Sequence, residues 1–290
     1  MLDGLRKMFS SGPAPYADPK EKIPLGEVLK RDWFELWYQP KIELRTMRLI
    51  GAEALVRARH PTRGIVAPFF FLPDAEETDL LALTEQVILT ALGDWEIFNE
   101  HGVPLKLAVN VPVSAFVKLP LARMLKEARP RAAHWPGMVL EVTEDQIIND
   151  LNLANDVADA LQALNCTLAL DDFGAGYSSL ARLRELPFSE LKIDRSYVMN
   201  CNSDALNAGL CETIVELGKR FGLKTVAEGI ETMYEMHKLQ GIGVDVGQGY
   251  LFAKPMPLGQ FIGTMRKRLV PVPAPVGDAT AGNFVPKFSR

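Results

Sequence analysis

Cysteine is scarce in this chain of 290 residues, which contains only Cys166, Cys201 and Cys211. An odd number of cysteines without C-x-x-C or Cys/His ligand spacing argues against a disulfide framework and against a structural zinc site. We therefore expect the three cysteines to be buried or half-buried. The four histidines also lack ligand spacing, so we expect them at the surface.

Long apolar runs and an excess of basic residues are also missing. No run approaches the roughly 20 apolar residues of a transmembrane helix, and the N-terminus lacks the residue order of a secretory signal. The 36 acidic residues outnumber the 32 basic ones, and the net charge of −4 argues against a surface for long nucleic acid. We expect a cytoplasmic protein without a membrane span, with room for a small phosphorylated ligand.

Periodic apolar positions are few at both ends of the chain. We expect a flexible N-terminal segment at 1–22 and a Pro-rich disordered tail at 270–290. Residues 23–269 are enough for one barrel-sized domain.

Between these ends, short β-rich runs alternate with stretches of helical periodicity such as 79–100 and 204–222, and the second stretch reaches a stop at Gly222. This alternation predicts parallel βα units. The eight strand candidates are 33–44, 49–58, 105–112, 138–145, 167–174, 189–196, 224–231 and 244–252.

Eight such units form either a closed (β/α)8 TIM barrel or an open doubly wound sheet. Nearly every strand candidate carries a charged or amide residue near its C-terminal end. A barrel collects catalytic groups from many strands at one mouth, whereas an open sheet concentrates them at one switch point. The pattern favours the α/β barrel.

The second strand candidate places Glu53, Leu55 and Arg57 on one face, because side chains alternate along a strand. An ion pair on an exposed strand would explain this alignment equally well. Acidic and amide residues on other strands favour a functional site over a structural ion pair. Asn110, Glu141 and the pair Asp171-Asp172 would meet at the barrel mouth and repel one another unless cations neutralised them.

Oxygen ligands of this kind favour Mg²⁺ or Mn²⁺ over zinc, and adjacent aspartates suit two ions acting on a phosphodiester. Lys192 could stabilise charge on phosphate oxygens, or it could be an ion pair with Asp194. Glu228 could bind the second ion, accept a proton from water, or balance Lys192.

The sequence around these residues resembles the EAL-domain cyclic diguanylate (cyclic di-GMP) phosphodiesterases. The likeness covers roughly 24–268, through the motifs YQPKI, EALVR, LEVTE, LALDDFGAGYSSL, LKIDRSYV, VAEGIET and QGYLFAKPMP. It implies a modified barrel whose first strand is antiparallel to the rest.

The resemblance also implies residue roles. Glu53, Asn110, Glu141 and Asp171 would hold one metal, and Asp171, Asp172 and Glu228 the other. The catalytic residues would be Glu228, Lys192 and Glu53, with Lys192 contacting the attacking water. The implied substrate contacts are Gln39, Leu55, Arg57, Glu231, Gln248 and Tyr250, and the implied loop-control residues are Glu144, Phe173 and Gly174.

The implied reaction is in-line attack of water on cyclic di-GMP, giving linear 5'-pGpG, with two Mg²⁺ or Mn²⁺ ions and inhibition by Ca²⁺. The resemblance further implies a homodimer, and a regulatory protein partner is a further expectation. Two alternatives stay open: a receptor that binds cyclic di-GMP without cutting it, and a different barrel metalloenzyme, since the fold does not specify the chemistry.

Overall fold

The computed structural model describes residues 22–143, 159–173, 188–271 and 284–286, without the side chains of 267–271 and 284–286. The strands are β1 (Phe34–Glu43), β2 (Arg48–His60), β3 (Gly64–Val66), β4 (Lys106–Asn110), β5 (Met138–Thr143), β6 (Cys166–Phe173), β7 (Phe188–Ile193), β8 (Lys224–Ala227), β9 (Val246–Gly247), β10 (Met256–Pro257), β11 (Leu269–Pro271) and β12 (Phe284–Pro286).

The helices lie mostly between these strands. Those with both ends in the described ranges are α1 (Leu25–Lys30), α2 (Glu77–Glu100), α3 (Val113–Lys118), α4 (Leu121–Ala128), α5 (Arg195–Val198), α6 (Ala205–Phe221), α7 (Met233–Ile242) and α8 (Leu258–Arg268), with a 3-10 turn at Pro68–Phe70.

Eight of the strands close into a barrel. The hydrogen-bonded order is β1, β2, β4, β5, β6, β7, β8 and β9, and β9 pairs with β1 again. From β2 to β9 these strands are parallel, whereas β1 is antiparallel to both of its barrel neighbours. The modified (β/α)8 barrel with an antiparallel first strand is therefore confirmed.

Side chains alternate between the outer and inner faces of the barrel wall. On β2, Ala52, Ala54 and Val56 belong to the large apolar core, while Glu53 and Arg57 are buried on the opposite face. The outer face packs against helices: on β1, the ring of Tyr38 lies 5.1 Å from that of Phe98 in α2. Burying a side chain of this size contributes roughly 1.5–3 kcal/mol, so the outer layer stabilises the wall that positions the inner polar residues.

Helix ends are fixed by local sequence. The Asp204 side chain accepts from the backbone N–H of Leu206 at 2.8 Å at the start of α6, and Gly222 ends that helix in the left-handed conformation, at φ 71°. The stop predicted at Gly222 is confirmed. Thr232 and Glu235 form a reciprocal capping box at the start of α7.

The three cysteines are buried, as predicted. Among the described residues, no helix combines the length and the apolar character needed to cross a membrane. The proposed flexible segment lies almost wholly outside the described residues, as does most of the proposed tail. Within the tail region, β12 pairs antiparallel with β11.

Candidate active site

A buried polar site occupies the inner face of the barrel near the carboxyl ends of the parallel strands. Glu53, Asn110, Glu141, Asp171 and Lys192 come from five different strands, and each is less than 5% exposed. Asp172 follows Asp171 at the end of β6, and Glu228 follows β8 and is half-buried. The structure therefore brings together all the residues that the sequence predicts as metal ligands or catalytic groups.

The ammonium group of Lys192 lies at the centre of this site. Its Nζ is 2.6 Å from Glu141 Oε2, 2.7 Å from Glu228 Oε1 and 3.1 Å from Asp171 Oδ1. Burial opposes its charge, but these three carboxylates and that of Glu53 outweigh burial and raise the pKa of Lys192 well above its usual value. Lys192 is therefore a permanent cation that donates a hydrogen bond to Glu141 and forms ion pairs with Asp171 and Glu228.

Asp194, the alternative partner proposed for Lys192, serves another purpose. Its carboxylate accepts from the backbone N–H of Ser196 at 2.9 Å and caps the start of α5. The ion pairs of Lys192 lie inside the barrel.

Glu141 lies between two lysines. Its Oε1 accepts from Lys41 at 2.9 Å, its Oε2 accepts from Lys192 at 2.6 Å, and the side chain is fully buried. Burial alone would raise its pKa, but the two ammonium groups prevail and lower the pKa of Glu141 to about 2. Glu141 is consequently ionised at any physiological pH.

Two amides fix the orientation of Glu53. Asn110 Nδ2 donates to Glu53 Oε1 at 2.8 Å, and Gln248 Nε2 donates to Glu53 Oε2 at 2.5 Å. Gln248 also donates to Gln39 Oε1 at 3.0 Å, and Gln39 donates to the carbonyl of Ala253 at 3.0 Å. Gln39 and Gln248, which the resemblance implies as substrate contacts, thus belong to the network that positions Glu53.

Asp171, Asp172 and Glu228 form the most acidic part of the site. One carboxylate oxygen from each lies within 4.8 Å of the others. Burial, followed by the charges of Asp171 and Asp194, raises the pKa of Asp172 to about 8, and burial also raises the pKa of Glu228 well above its usual range. The backbone of Asp172 has φ 55°, an uncommon left-handed value that often marks functional sites.

The donor set fits hard divalent cations. Among the described residues, Asp172 Oδ2 and Asn110 Oδ1 are buried oxygens without a hydrogen-bond partner. Buried polar atoms are normally paired, so each of these oxygens is suited to a ligand. Carboxylate and amide oxygens prefer Mg²⁺ or Mn²⁺, and five carboxyl groups against Lys41 and Lys192 leave a negative excess for cations to neutralise.

Arg57 and Tyr250 lie at the rim of the site. The Arg57 guanidinium donates to the carbonyl of Val56 at 2.7 Å and lies 5.8 Å from the ring centroid of Trp37. Burial lowers its pKa to about 10, so Arg57 stays charged at neutral pH. Tyr250 is half-buried, and the Lys254 ammonium lies 5.2 Å from the centroid of its ring.

Glu231, another implied substrate contact, is paired at the rim. Arg195 donates to Glu231 Oε1 at 2.5 Å. The stem of Arg195 runs past Gly229, where an added Cβ would lie 2.3 Å from Arg195 Cγ and where φ is 68°. Gly229 is therefore required both by the backbone and by the passage of Arg195.

The remaining predicted residues divide into two groups. Leu55 and Phe173 are buried, and Phe173 lies beside Ile193 in the register of β6 and β7. Glu144 and Gly174, the other two loop-control residues, lie outside the described residues.

A sequence profile of the EAL domain matches residues 25–255. The chain belongs to the EAL domain family. Its similarity to cyclic di-GMP phosphodiesterase PA2567 of Pseudomonas aeruginosa is 37% identity over 77% of this chain and 38% of that protein. RocR of the same organism, also named a cyclic di-GMP phosphodiesterase, is 36% identical over 79% of this chain and 59% of its own length.

Solved EAL domains share the fold. A structure titled PaMucR phosphodiesterase, c-di-GMP complex, has a TM-score of 0.74 and 36% identity, covering 82% of this chain and 97% of that one. An EAL domain protein from Listeria monocytogenes has a TM-score of 0.71 and 28% identity, covering 87% of this chain and all of that one. The chain spans about 38% to 59% of the length of the two curated relatives above, which are larger proteins.

Sequence reasoning missed three residues near this EAL site: Lys41, Glu190 and Arg195. Lys41 follows Gln39 by two positions, and Glu190 precedes Lys192 by two positions. Strand alternation therefore puts each on the same inner face as a residue that was identified. That signal was available, but it could not show that Lys41 and Glu190 meet across the barrel.

Proposed function

We propose that this chain hydrolyses cyclic di-GMP to linear 5'-pGpG in a metal-dependent reaction. The observation that carries the proposal is the convergence of Glu53, Asn110, Glu141, Asp171, Asp172, Lys192 and Glu228 in one buried site of an EAL domain. Relatives named as cyclic di-GMP phosphodiesterases support the choice of substrate.

Two sets of oxygen ligands are assigned to Mg²⁺ or Mn²⁺. Glu53, Asn110, Glu141 and Asp171 would hold one ion, and Asp171, Asp172 and Glu228 would hold the other. The partnerless oxygens of Asn110 and Asp172 support these assignments within the described part of the chain. Bound cations would lower the pKa of water and neutralise phosphate oxygens. Ca²⁺ should inhibit, because its larger and less regular coordination shell orients water poorly.

The chain's own groups would supply orientation and proton transfer. Lys192 stays protonated and would hold the attacking water or a phosphate oxygen through an N–H donor. Glu228 is our candidate for the carboxylate that takes a proton from water during in-line attack, since its pKa is raised and it lies beside Lys192. Arg57 would pair with a phosphate of the ligand, helped by the buried Leu55 and by Tyr250 at the rim.

A turnover assay tests the proposal. Purified protein is incubated with cyclic di-GMP and Mg²⁺ or Mn²⁺, with parallel samples containing EDTA or Ca²⁺, and the products are separated by chromatography. Linear 5'-pGpG should form only in the Mg²⁺ and Mn²⁺ samples. Tight binding without any linear product would instead identify a cyclic di-GMP receptor.

We extend the proposal to assembly and location. A homodimer and a regulatory protein partner are expected by analogy with the family, and light scattering of the purified protein tests the first. A bacterial second messenger as substrate is consistent with action in the cytoplasm.

A further inference from the structure

Lys41 is a buried lysine that has no assigned role in the proposed hydrolysis of cyclic di-GMP. It lies on β1 and is 5% exposed. Because β1 is antiparallel to its neighbours, Lys41 lies one side-chain step further from the mouth than Gln39, beside Gly51 rather than Glu53. It is therefore beneath the site and separate from the rim where a ligand would enter.

Below the site, the inner face of the barrel carries small side chains. Ala108, Val139 and Ala169 form a buried cluster of their own on β4, β5 and β6. Each precedes a site residue by two positions, so the three lie one step below Asn110, Glu141 and Asp171. Small side chains at this level leave space for a long side chain such as that of Lys41.

Lys41 links two acidic residues at different depths. Its Nζ is 2.9 Å from Glu141 Oε1 and 3.1 Å from Glu190 Oε2. Glu190 precedes Lys192 by two residues on β7, so it too lies below the site. The inner face thus carries an alternating chain of charges that runs from Glu190 through Lys41 and Glu141 to Lys192.

The position of Glu141 determines how Lys192 uses its donors. An ammonium group has three N–H donors, and Lys192 has three acidic partners: it donates to Glu141 and forms ion pairs with Asp171 and Glu228. If Oε1 of Glu141 lost its partner in this fully buried place, the carboxylate would turn both oxygens toward Lys192. It would then compete with Asp171 and Glu228 for the same ammonium group.

We propose that Lys41 is a positioning residue: it holds Oε1 of Glu141, so that Glu141 takes a single donor of Lys192 and leaves the other two for Asp171 and Glu228. Glu190 anchors Lys41 from below. The kinetic consequence rests on the proposed phosphodiesterase activity, but the geometric consequence does not.

The first test is kinetic and uses Lys41→Met, which keeps most of the stem and removes the charge. Misplacing a group in the site without touching the ligand should lower kcat by about 10²-fold. The KM for cyclic di-GMP should change by less than about threefold, because Lys41 lies away from the rim. A kcat within about twofold of the wild type would overturn the inference.

Lys106→Met is the matched control. Lys106 is a second inward lysine, on β4, and its ammonium donates to the hydroxyl of Thr167 at 3.1 Å. Removing its charge should leave kcat within about twofold of the wild type. An equal loss of kcat in both variants would mean a general effect of interior charge and would also overturn the inference.

Glu190→Gln provides a second route if Lys41→Met does not fold. It weakens the anchor and should lower kcat by roughly tenfold. Where Lys41→Met does fold, the double variant should match Lys41→Met alone because both changes act through one group. Additive losses would contradict this path. Without a folded Lys41→Met, a wild-type kcat in Glu190→Gln would overturn the inference.

Crystal structures of the metal-free wild type and Lys41→Met separate this inference from the proposed function. Glu141 should rotate until both of its oxygens contact Lys192, and this readout needs no turnover. An unmoved Glu141 would refute the positioning role even in an active enzyme. Conversely, a rotated Glu141 in a protein that never cuts cyclic di-GMP would refute only the proposed function.

Discussion

Glu141 and Asp172 are buried carboxyl groups of one site, but their surroundings are opposite. Each oxygen of Glu141 contacts a lysine ammonium, and its pKa falls to about 2. Asp172 has acidic neighbours in Asp171 and Asp194, its pKa rises to about 8, and its Oδ2 has no hydrogen-bond partner among the described residues. We call Lys41, Glu141 and Lys192 the lysine side, and Asp171, Asp172 and Glu228 the acidic side.

The difference shows how positive charge is divided between the protein and its expected ligands. On the lysine side both oxygens of Glu141 contact ammonium groups of the protein itself, so this carboxylate is neutralised before anything binds. The acidic side brings three carboxyl groups within 4.8 Å of one another, and burial makes their ionisation costly. Burial of these carboxyl groups lowers the stability of the metal-free protein, and the same groups would give the acidic side its affinity for the proposed cations.

The largest effect is expected for Lys192→Met, which removes the lysine-side cation that also contacts Asp171 and Glu228. Loss of a preorganised charged donor from a buried site should lower kcat by about 10³-fold. The assay is steady-state turnover of cyclic di-GMP at saturating Mg²⁺, with Lys106→Met as the control for an interior lysine. If kcat falls less than about tenfold, Lys192 is no more than a structural ion pair.

Glu141→Gln tests how much the lysine side depends on its one carboxylate. The change leaves two buried ammonium groups short of a negative partner, which should reduce the free energy of unfolding of the metal-free protein by about 3 kcal/mol. Urea denaturation in EDTA measures this loss. The control is Glu216→Gln in the exposed pair with Arg220, where a change below about 0.5 kcal/mol is expected.

Asp172→Asn should have the opposite sign and a smaller size. It removes a carboxyl group whose ionisation is opposed by burial and by Asp171, so the metal-free protein should gain about 2 kcal/mol at pH 7. The same denaturation series in EDTA checks the sign. Adding Mg²⁺ should reverse the ranking, since an ion at 100 times its Kd stabilises the wild type by about 2.7 kcal/mol and the variant less.

The pH dependence of this gain follows from the direction of the shift. A carboxyl group with a raised pKa binds its proton more tightly in the folded state, so wild-type stability decreases as pH rises from about 4. The decrease should level off near pH 8, the folded-state pKa of Asp172. The advantage of Asp172→Asn should therefore grow over this range and vanish near pH 4, and a gain independent of pH would contradict the assigned ionisation.

The two sides also differ in how far the sequence predicts them. Asp171 and Asp172 follow an apolar strand in the linear sequence, and the alternation in β2 places Glu53 and Arg57 on one face. These are local patterns, and the eight strands, the closed barrel and the convergence of the carboxylates all follow from them. The antiparallel first strand came only from resemblance, because periodicity carries no strand direction.

The contacts of Lys41 show what local patterns leave out. Lys41 is on β1, whereas Glu141 and Glu190 are on β5 and β7, which are not neighbours of β1 in the wall. Their contact depends on barrel closure and on the reversed direction of β1. Because β1 is antiparallel to its neighbours, Lys41 lies further from the barrel mouth than Gln39. Neither property is encoded in the spacing of YQPKI.

The smallest effect is expected at the rim, for Glu231→Gln. Glu231 is 46% exposed and paired with Arg195, and exposed pairs contribute less than about 1 kcal/mol, so the free energy of unfolding should hardly change. The KM for cyclic di-GMP should rise by about threefold at most, whereas loss of the buried Arg57 in Arg57→Ala should raise it by about tenfold or more. Equal effects of the two changes would mean that Glu231 contacts the ligand directly and that its pairing with Arg195 opens on binding.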